Sequence, residues 1–334
     1  MDSSRYQRIS FNCYRWFAPF TPAPDLATTV LGIHFRSPIG AAAGLDPQAR
    51  HINTLEKLGF GFVELGSVTM DREPRDLPAV QIDHEKRTVK RVVQDATCSG
   101  FQLCRNVARA QPQVPIGVNL QPHSTILTAA PYLANNEYTN VLEVTYPYAD
   151  YIVANLASDH ITDLSMYRDE AHLRELCRDL VRTRDIEIGL QCAALLSVQG
   201  IHVPKARRLV PPLFLKIDSE WTDVQMLVKV AVEEGLDGVV VAGTNRAGEG
   251  GTAVAEASLK LLKEVRKAAG DKLVLIAAGG IFSAEDILER LKSGASLVEV
   301  YSAFWLEGPY VVRRLSEALS ELRRDGLSSV RTAA

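Results

Sequence analysis

The sequence has no cysteine framework. Its five cysteines (Cys13, Cys98, Cys104, Cys177 and Cys192) are odd in number, and no two stand in C-x-x-C spacing. That argues against a disulfide-stapled fold, and no cradle for zinc or an iron–sulfur cluster is visible. No metal site is expected. An excess of positive charge is also missing: 37 Lys and Arg stand against 40 Asp and Glu, a net charge of −3. Nucleic-acid binding needs clustered cations, so no nucleic-acid partner is expected. No stretch of about 18 consecutive apolar residues occurs, which removes a membrane-spanning helix. The first residues lack the apolar core and cleavage site of a secretory leader, which points to the cytoplasm. No internal repeat or low-complexity segment stands out.

What is present is the composition of a large folded body. Of 334 residues, 46% are hydrophobic, and a chain of about 300 residues hides roughly 75% of its unfolded surface. Length alone allows two domains or one closed α/β barrel of about 250 residues. Near the start, Phe11, Tyr14, Trp16, Phe17 and Phe20 stand among Arg5, Arg8 and Arg15. A short aromatic, basic helix of this kind can lie in a membrane interface. Packing against the body is the ordinary behaviour of an amphipathic helix, and it is preferred over peripheral membrane contact through residues 5–20. Pro19, Pro22 and Pro24 end this helix. The division expected is a helical segment and linker over 1–28, then a barrel over 29–334.

The order of elements decides for the barrel. Short apolar runs at 39–43, 62–65, 116–120, 151–154, 213–217, 238–241, 274–278 and 297–300 alternate with helical patterns at 51–58, 130–144, 169–183, 223–234, 253–269, 284–293 and 310–321. Eight β-type runs separated by helices read as βα units of a parallel sheet. Runs such as Leu-Val-Leu-Ile-Ala-Ala are apolar on both faces, as buried parallel strands must be. Eight units close into a single (β/α)8 TIM barrel. A doubly wound open sheet is the alternative, but the candidates continue evenly with no break for a domain boundary.

In that fold chemistry sits where the strands end. The run 274–278 leads into Gly279-Gly280-Ile281, and 297–300 leads into Tyr301-Ser302. Glycine lets backbone approach an anion closely, and free N–H groups at a helix start supply positive potential. Barrels often bind phosphate after strands seven and eight. The pair therefore reads as a phosphate site, with a plain tight turn as the alternative. Asn119 and Asn155 end two middle strands and offer a donor and an acceptor to a heterocycle edge; capping the next helix is the alternative. Lys216 follows three apolar residues, which puts its cation at the mouth. Its alternative is a salt bridge to a strand-end acid such as Asp218 or Glu64. Ser158 needs an activating partner to move a proton, and Asp159 and His160 stand beside it. His160 is equally readable as a solvated loop histidine.

Together these residues resemble the dihydroorotate dehydrogenase family, its serine-type, membrane-associated class in particular. The likeness runs from about residue 30 to 315. It is carried by Pro38-Ile39-Gly40-Ala41-Ala42-Ala43-Gly44-Leu45-Asp46, by Gly59-Phe60-Gly61-Phe62-Val63-Glu64-Leu65-Gly66-Ser67-Val68-Thr69, and by Gly279-Gly280-Ile281 with Gly294 to Ser302. The resemblance implies an FMN-binding barrel that oxidises a C–C bond beside a carbonyl, a base taking a proton while the flavin takes a hydride. It implies flavin-lining backbone at Ala42, Ala43 and Gly44 and a flavin contact at Ser67, where the family usually has Thr. Asn119, Asn155 and Lys216 match its ring contacts. Gly279, Gly280, Tyr301 and Ser302 match its phosphate loops, and Gly251 and Thr244 approach the cofactor. Ser158 falls on the catalytic base, with His160 assisting and Lys216 stabilising the reduced ring. The substrate positions are Pro47, Thr97, Ser99, Gly100, Phe101 and Asn245. The family's Thr-Asn after strand six corresponds to Thr244-Asn245 or, counted from Asp237-Gly238, to Ala242-Gly243.

The departures gather on the substrate side. Pro47 replaces a lysine, Thr97 an asparagine, Gln121-Pro122 a Gly-Lys pair, and Asp159-His160-Ile161 a Pro-Asn-Thr. Each lost partner leaves a buried polar group unpaired at about 1–3 kcal/mol. Three such losses weaken orotate binding by at least about a hundredfold. The expectation is an FMN-dependent oxidoreductase acting on a C–C or C–N bond beside a carbonyl in a small molecule other than dihydroorotate, in specialised metabolism. A genuine dihydroorotate dehydrogenase with an altered pocket and a flavin-binding protein without turnover are the alternatives. The resembled class passes electrons to a quinone through a pair of N-terminal helices. Here there is room for about one short helix at 1.5 Å per residue, so a full quinone tunnel is not expected, and oxygen or a small organic acceptor stays open. Oligomeric state is not set by the sequence.

Overall fold

The computed structural model describes residues 18–73, 80–91, 97–157, 163–190 and 210–332. A hairpin comes first, β1 (Thr28–Val30) and β2 (Ile33–Phe35), followed by β3 (Ile39–Ala41) and β4 (Phe62–Thr69). Next are β5 (Val80–Asp83), β6 (Thr88–Arg91), the two-residue β7 (Cys98–Ser99), β8 (Ile116–Leu120) and β9 (Tyr151–Asn155). The set ends with β10 (Leu213–Ile217), β11 (Gly238–Val241), β12 (Glu249–Gly251), β13 (Val274–Ala278) and β14 (Leu297–Val300). Strands β3, β4, β8, β9, β10, β11, β13 and β14 pair in parallel in that order, and β14 returns to β3. The barrel is closed, and each of its eight strands falls on one of the apolar runs in the sequence.

Helices cover its outside: α1 (Ile52–Leu58), α2 (Gly100–Ala110), α3 (Ser124–Ala129), α4 (Ala134–Thr145), α5 (Glu170–Arg182), α6 (Val224–Glu233), α7 (Ala255–Ala269), α8 (Ala284–Lys292), α9 (Ser302–Glu307) and α10 (Tyr310–Thr332). The helix expected over 130–144 starts later, as α4, because Pro131 opens a 3-10 turn in front of it, and α3 before that turn was not expected. Helix α2 begins on residues expected to form a substrate loop, with the Ser99 hydroxyl accepting from Gln102 N. The sheet of β5, β6 and β12 was also unexpected. No helix among the described residues is long and apolar enough to cross a membrane. The aromatic N-terminal stretch through residue 17 lies outside the described residues.

The two ends of the barrel differ because of alternation along the strands. Side chains two apart share a face, so the inward set includes Phe62 then Glu64, Phe214 then Lys216, and Leu297 then Glu299. The lower layer is aromatic. Phe62, Tyr151 and Phe214 meet edge-on, with centroids 6.4 Å and 5.6 Å apart, and Phe35 of the hairpin caps Phe62 at 5.4 Å. Glycines make room for them: a Cβ at Gly40, Gly117 or Gly238 would collide with Phe62, Tyr151 or Phe214 respectively. The lower end is thus sealed, and among the described residues the charged layer of the barrel interior lies toward the mouth.

Candidate active site

That charged layer is a hydrogen-bonded chain. Lys216 Nζ donates to Glu64 Oε1 at 2.6 Å and to Glu299 Oε2 at 3.1 Å. Asn119 Nδ2 donates to the same Glu64 oxygen at 2.9 Å, and Ser67 Oγ donates to Asn119 Oδ1 at 3.2 Å. Burial opposes a charge on Lys216, but Glu299 and Glu64 outweigh it and hold the ammonium above the ordinary lysine range. Burial likewise opposes charge on Glu64, yet Lys216 and its hydrogen bonds pull that carboxyl below its usual range. Glu299 goes the other way: burial and the Glu64 charge push it well up, and Lys216 offsets only part of this. Of the two salt-bridge alternatives for Lys216, Glu64 is the partner. Asp218 pairs with Arg168 instead, at 2.5 Å.

Asn155 pairs in register with Lys216 across β9 and β10. Its Oδ1 accepts from Ala157 N at 3.1 Å and its Nδ2 donates to Gln121 Oε1 at 3.4 Å, while the Tyr138 hydroxyl donates to its backbone carbonyl at 2.5 Å. The amide is therefore oriented rather than free to spin.

At the other side of the mouth the backbone is cut close. Gly279 and Gly280 have φ of +92° and +63°, a region that favours glycine. A Cβ on Gly243 would strike the Gly279 backbone, and one on Gly280 would strike Ala255. The buried Arg290 guanidinium donates to Gly279 O at 2.6 Å and to Asp286 O at 3.0 Å. Ser283 and Asp286 form a capping box at the start of α8, and Asp286 also takes Phe282 N. The glycine turn is therefore held from behind while its front faces open space.

One cleft of about 1020 Å³, its open mouth included, joins these parts. Its lining contains Ala42, Ala43, Gly44, Ser67, Asn119, Asn155, Lys216, Thr244, Gly279, Gly280, Tyr301 and Ser302, so nearly all the residues expected to hold a flavin come together. Gly251 does not line it. Its Cβ position is filled by Arg87 O, and Gly248 and Gly250 take the wall instead. After β11 the strand end is Ala242-Gly243, and both line the cleft along with Thr244. Asn245 turns away, with Nδ2 on Glu249 Oε2 at 3.2 Å.

The expected substrate residues are placed elsewhere. Pro47, Thr97, Ser99, Gly100 and Phe101 are absent from the lining. Thr97 is buried, its hydroxyl 2.7 Å from that of Thr69 and accepting from Glu73 N at 2.9 Å. Ser99 caps α2, and Phe101 is 67% exposed. Ser158 and His160 lie outside the described residues. Sequence reasoning missed Glu299 and Arg91, while the alternative register Ala242-Gly243 is the one that lines the cleft. Arg91 enters from β6, which packs with Val80 and Val89 over α9. An inward Leu-x-Glu pattern on β14 was the available signal for Glu299.

Comparisons with known proteins agree with this geometry. A family model described as dihydroorotate dehydrogenase matches residues 25–322. A protein of Arthrobacter sp. (strain FB24) named dihydroorotate dehydrogenase (quinone) is 30% identical, over 96% of this chain and 95% of the relative. One of the same name from Sphingopyxis alaskensis is 31% identical, over 93% and 86%. A crystal structure of Eimeria tenella DHODH in complex with ferulenol matches with a TM-score of 0.84 at 23% identity, over 98% of this chain and 93% of that one. At that identity it speaks for the barrel fold.

Proposed function

Because the chain belongs to the dihydroorotate dehydrogenase family, we propose that it binds FMN across the barrel mouth and oxidises dihydroorotate, with a quinone as electron acceptor. The family's enzymes act on a CH–CH bond. The observation that carries the FMN reading is the single cleft, which has a glycine-walled turn at one side and the Lys216–Asn119–Asn155 set at the other. FMN needs both: close backbone for its phosphate, and donors with a cation for its ring. Gly279, Gly280, Tyr301 and Ser302 would hold the phosphate. Ser67, Asn119, Asn155 and Lys216 would hold the ring, against a wall of Ala42, Ala43 and Gly44. Bound FMN supplies a two-electron acceptor. Lys216 puts positive charge where the reduced ring gains negative charge. Ser158 is the proposed base, with His160 assisting it. A cytoplasmic setting belongs to the same proposal.

Dihydroorotate and quinone are supported by the relatives' names, which favour them over the different substrate the altered residues suggested. One observation keeps that second reading alive. None of Pro47, Thr97, Ser99, Gly100, Phe101 and Asn245 lines the cleft, so these six expected substrate positions are not gathered there. Anaerobic mixing separates the readings. Fast bleaching of the yellow protein by dihydroorotate, reversed by a ubiquinone analogue, is the expected result. Bleaching by another saturated cyclic amide but not by dihydroorotate would establish the second reading. Protein that takes up no FMN would overturn both.

A further inference from the structure

Two carboxyls and one ammonium share the layer under the mouth, and water scarcely reaches them: Glu64 is 0%, Glu299 1% and Lys216 8% exposed. Their formal charges sum to −1. An uncompensated charge at such depth is far more costly than a proton taken up. The hydrogen bonds say where that proton goes. Glu64 Oε1 takes two donors, Lys216 and Asn119, whereas Glu299 takes Lys216 alone and at the longer distance. Among the described residues, none gives Glu64 Oε2 or Glu299 Oε1 an N–H or O–H donor. Around Glu299, β3, β11 and β13 bring no ionisable side chain. Strand β9 brings Tyr151, whose phenol stays neutral because burial and the nearby Glu64 charge raise it.

We propose that Glu299 is held as a neutral carboxylic acid, so that the buried Glu64–Lys216–Glu299 layer carries no net charge beneath the redox ring. Glu299 is then a positioning residue. It keeps a second negative charge away from a ring that must itself accept electrons, and it leaves the Lys216 charge balanced by Glu64 alone. The link to the ring rests on the FMN reading; the protonation state does not.

Infrared difference spectroscopy tests the state directly. The wild-type protein is expected to show a protonated-carboxyl stretch at neutral pH that shifts in deuterium oxide. That band should vanish in Glu299→Gln. It should also vanish in Glu64→Gln, where Glu299 becomes the sole partner of Lys216 and ionises. Absence of the band in wild type, or its survival in both variants, overturns the proposal. Stability gives a second reading. A carboxyl raised by folding loses folding equilibrium roughly tenfold per pH unit above the ordinary glutamate range. Glu299→Gln should therefore gain on wild type as pH rises and match it in acid, and parallel pH profiles would refute the proposal. With flavin bound, the midpoint potential of Glu299→Gln should track wild type below neutrality and lie above it in alkali. An offset already present below neutrality overturns the idea. A protein that takes up no flavin would overturn the FMN reading while the infrared and stability outcomes still decide this one.

Discussion

Replacing Lys216 with methionine would leave Glu64 facing Asn119 alone, with its charge buried at 0% exposure. Removing one partner of a buried ion pair costs about 3–5 kcal/mol, because the remaining charge is stranded. Lys216→Met is therefore expected to lower the unfolding free energy measured by urea titration by that amount at neutral pH. Part of the loss should return in acid, as Glu64 takes up a proton. The same variant should purify pale, with flavin absorbance per protein sharply reduced. A variant that keeps wild-type stability and colour would refute the assigned role. The lysine was legible in the sequence because a cation after three apolar strand residues has few places to go. Its partner was less so. Glu64 and Asp218 were equally plausible along the chain, and the choice depends on strand direction: Glu64 points inward on β4, while Asp218 lies past the end of β10 beside Arg168.

The turn between β13 and α8 works as one unit, with glycines in front and Arg290 behind. Arg290 is 2% exposed and reaches the Gly279 carbonyl at 2.6 Å. A hydrogen bond to a charged group contributes about 1.5–3 kcal/mol. In Arg290→Met the glycine turn should loosen, and FMN affinity should fall by about tenfold or more on that scale. Riboflavin, which has no phosphate, should lose little. Equal losses for both ligands, measured by fluorescence titration, would mean that the variant damages the whole barrel rather than the turn. At this scale the sequence was informative where periodicity is strong. Each of the eight barrel strands falls on a mainly apolar run, broken only by the residues that serve the mouth, and most of the outer helices have amphipathic spacing. It was silent on β5, β6 and β12. Those strands are three or four residues long and mix Gln81, Asp83, Lys90 and Arg91 with apolar residues, so no run stands out. Helix α2 was hidden for another reason. Its first residues matched a substrate-loop motif, and its Ser99 cap was read as a ligand rather than as the start of a helix.

Across the whole molecule, stability and binding are assigned to different ends of the same strands. The closed end is an aromatic plug shared by the hairpin and the barrel, and the open end holds the charges and the glycine turn. Sequence periodicity shows that residues two apart share a face, but it does not tell which strand position lies at which height. The height follows from barrel stagger, which is why the glycine–aromatic pairs Gly40–Phe62, Gly117–Tyr151 and Gly238–Phe214 went unnoticed. The division can be tested on Phe35, which is 2% exposed and sits on the hairpin rather than on a barrel strand. Phe35→Ala removes a ring packed edge-on against Phe62, and a buried Phe→Ala change costs about 3–5 kcal/mol. The thermal midpoint should drop accordingly. FMN affinity should stay at the wild-type value at temperatures where both proteins are folded, because no group touching the cleft has moved. If affinity falls in step with stability, the two ends are mechanically coupled, and a substitution at the sealed end would have to be read as a change in the active site.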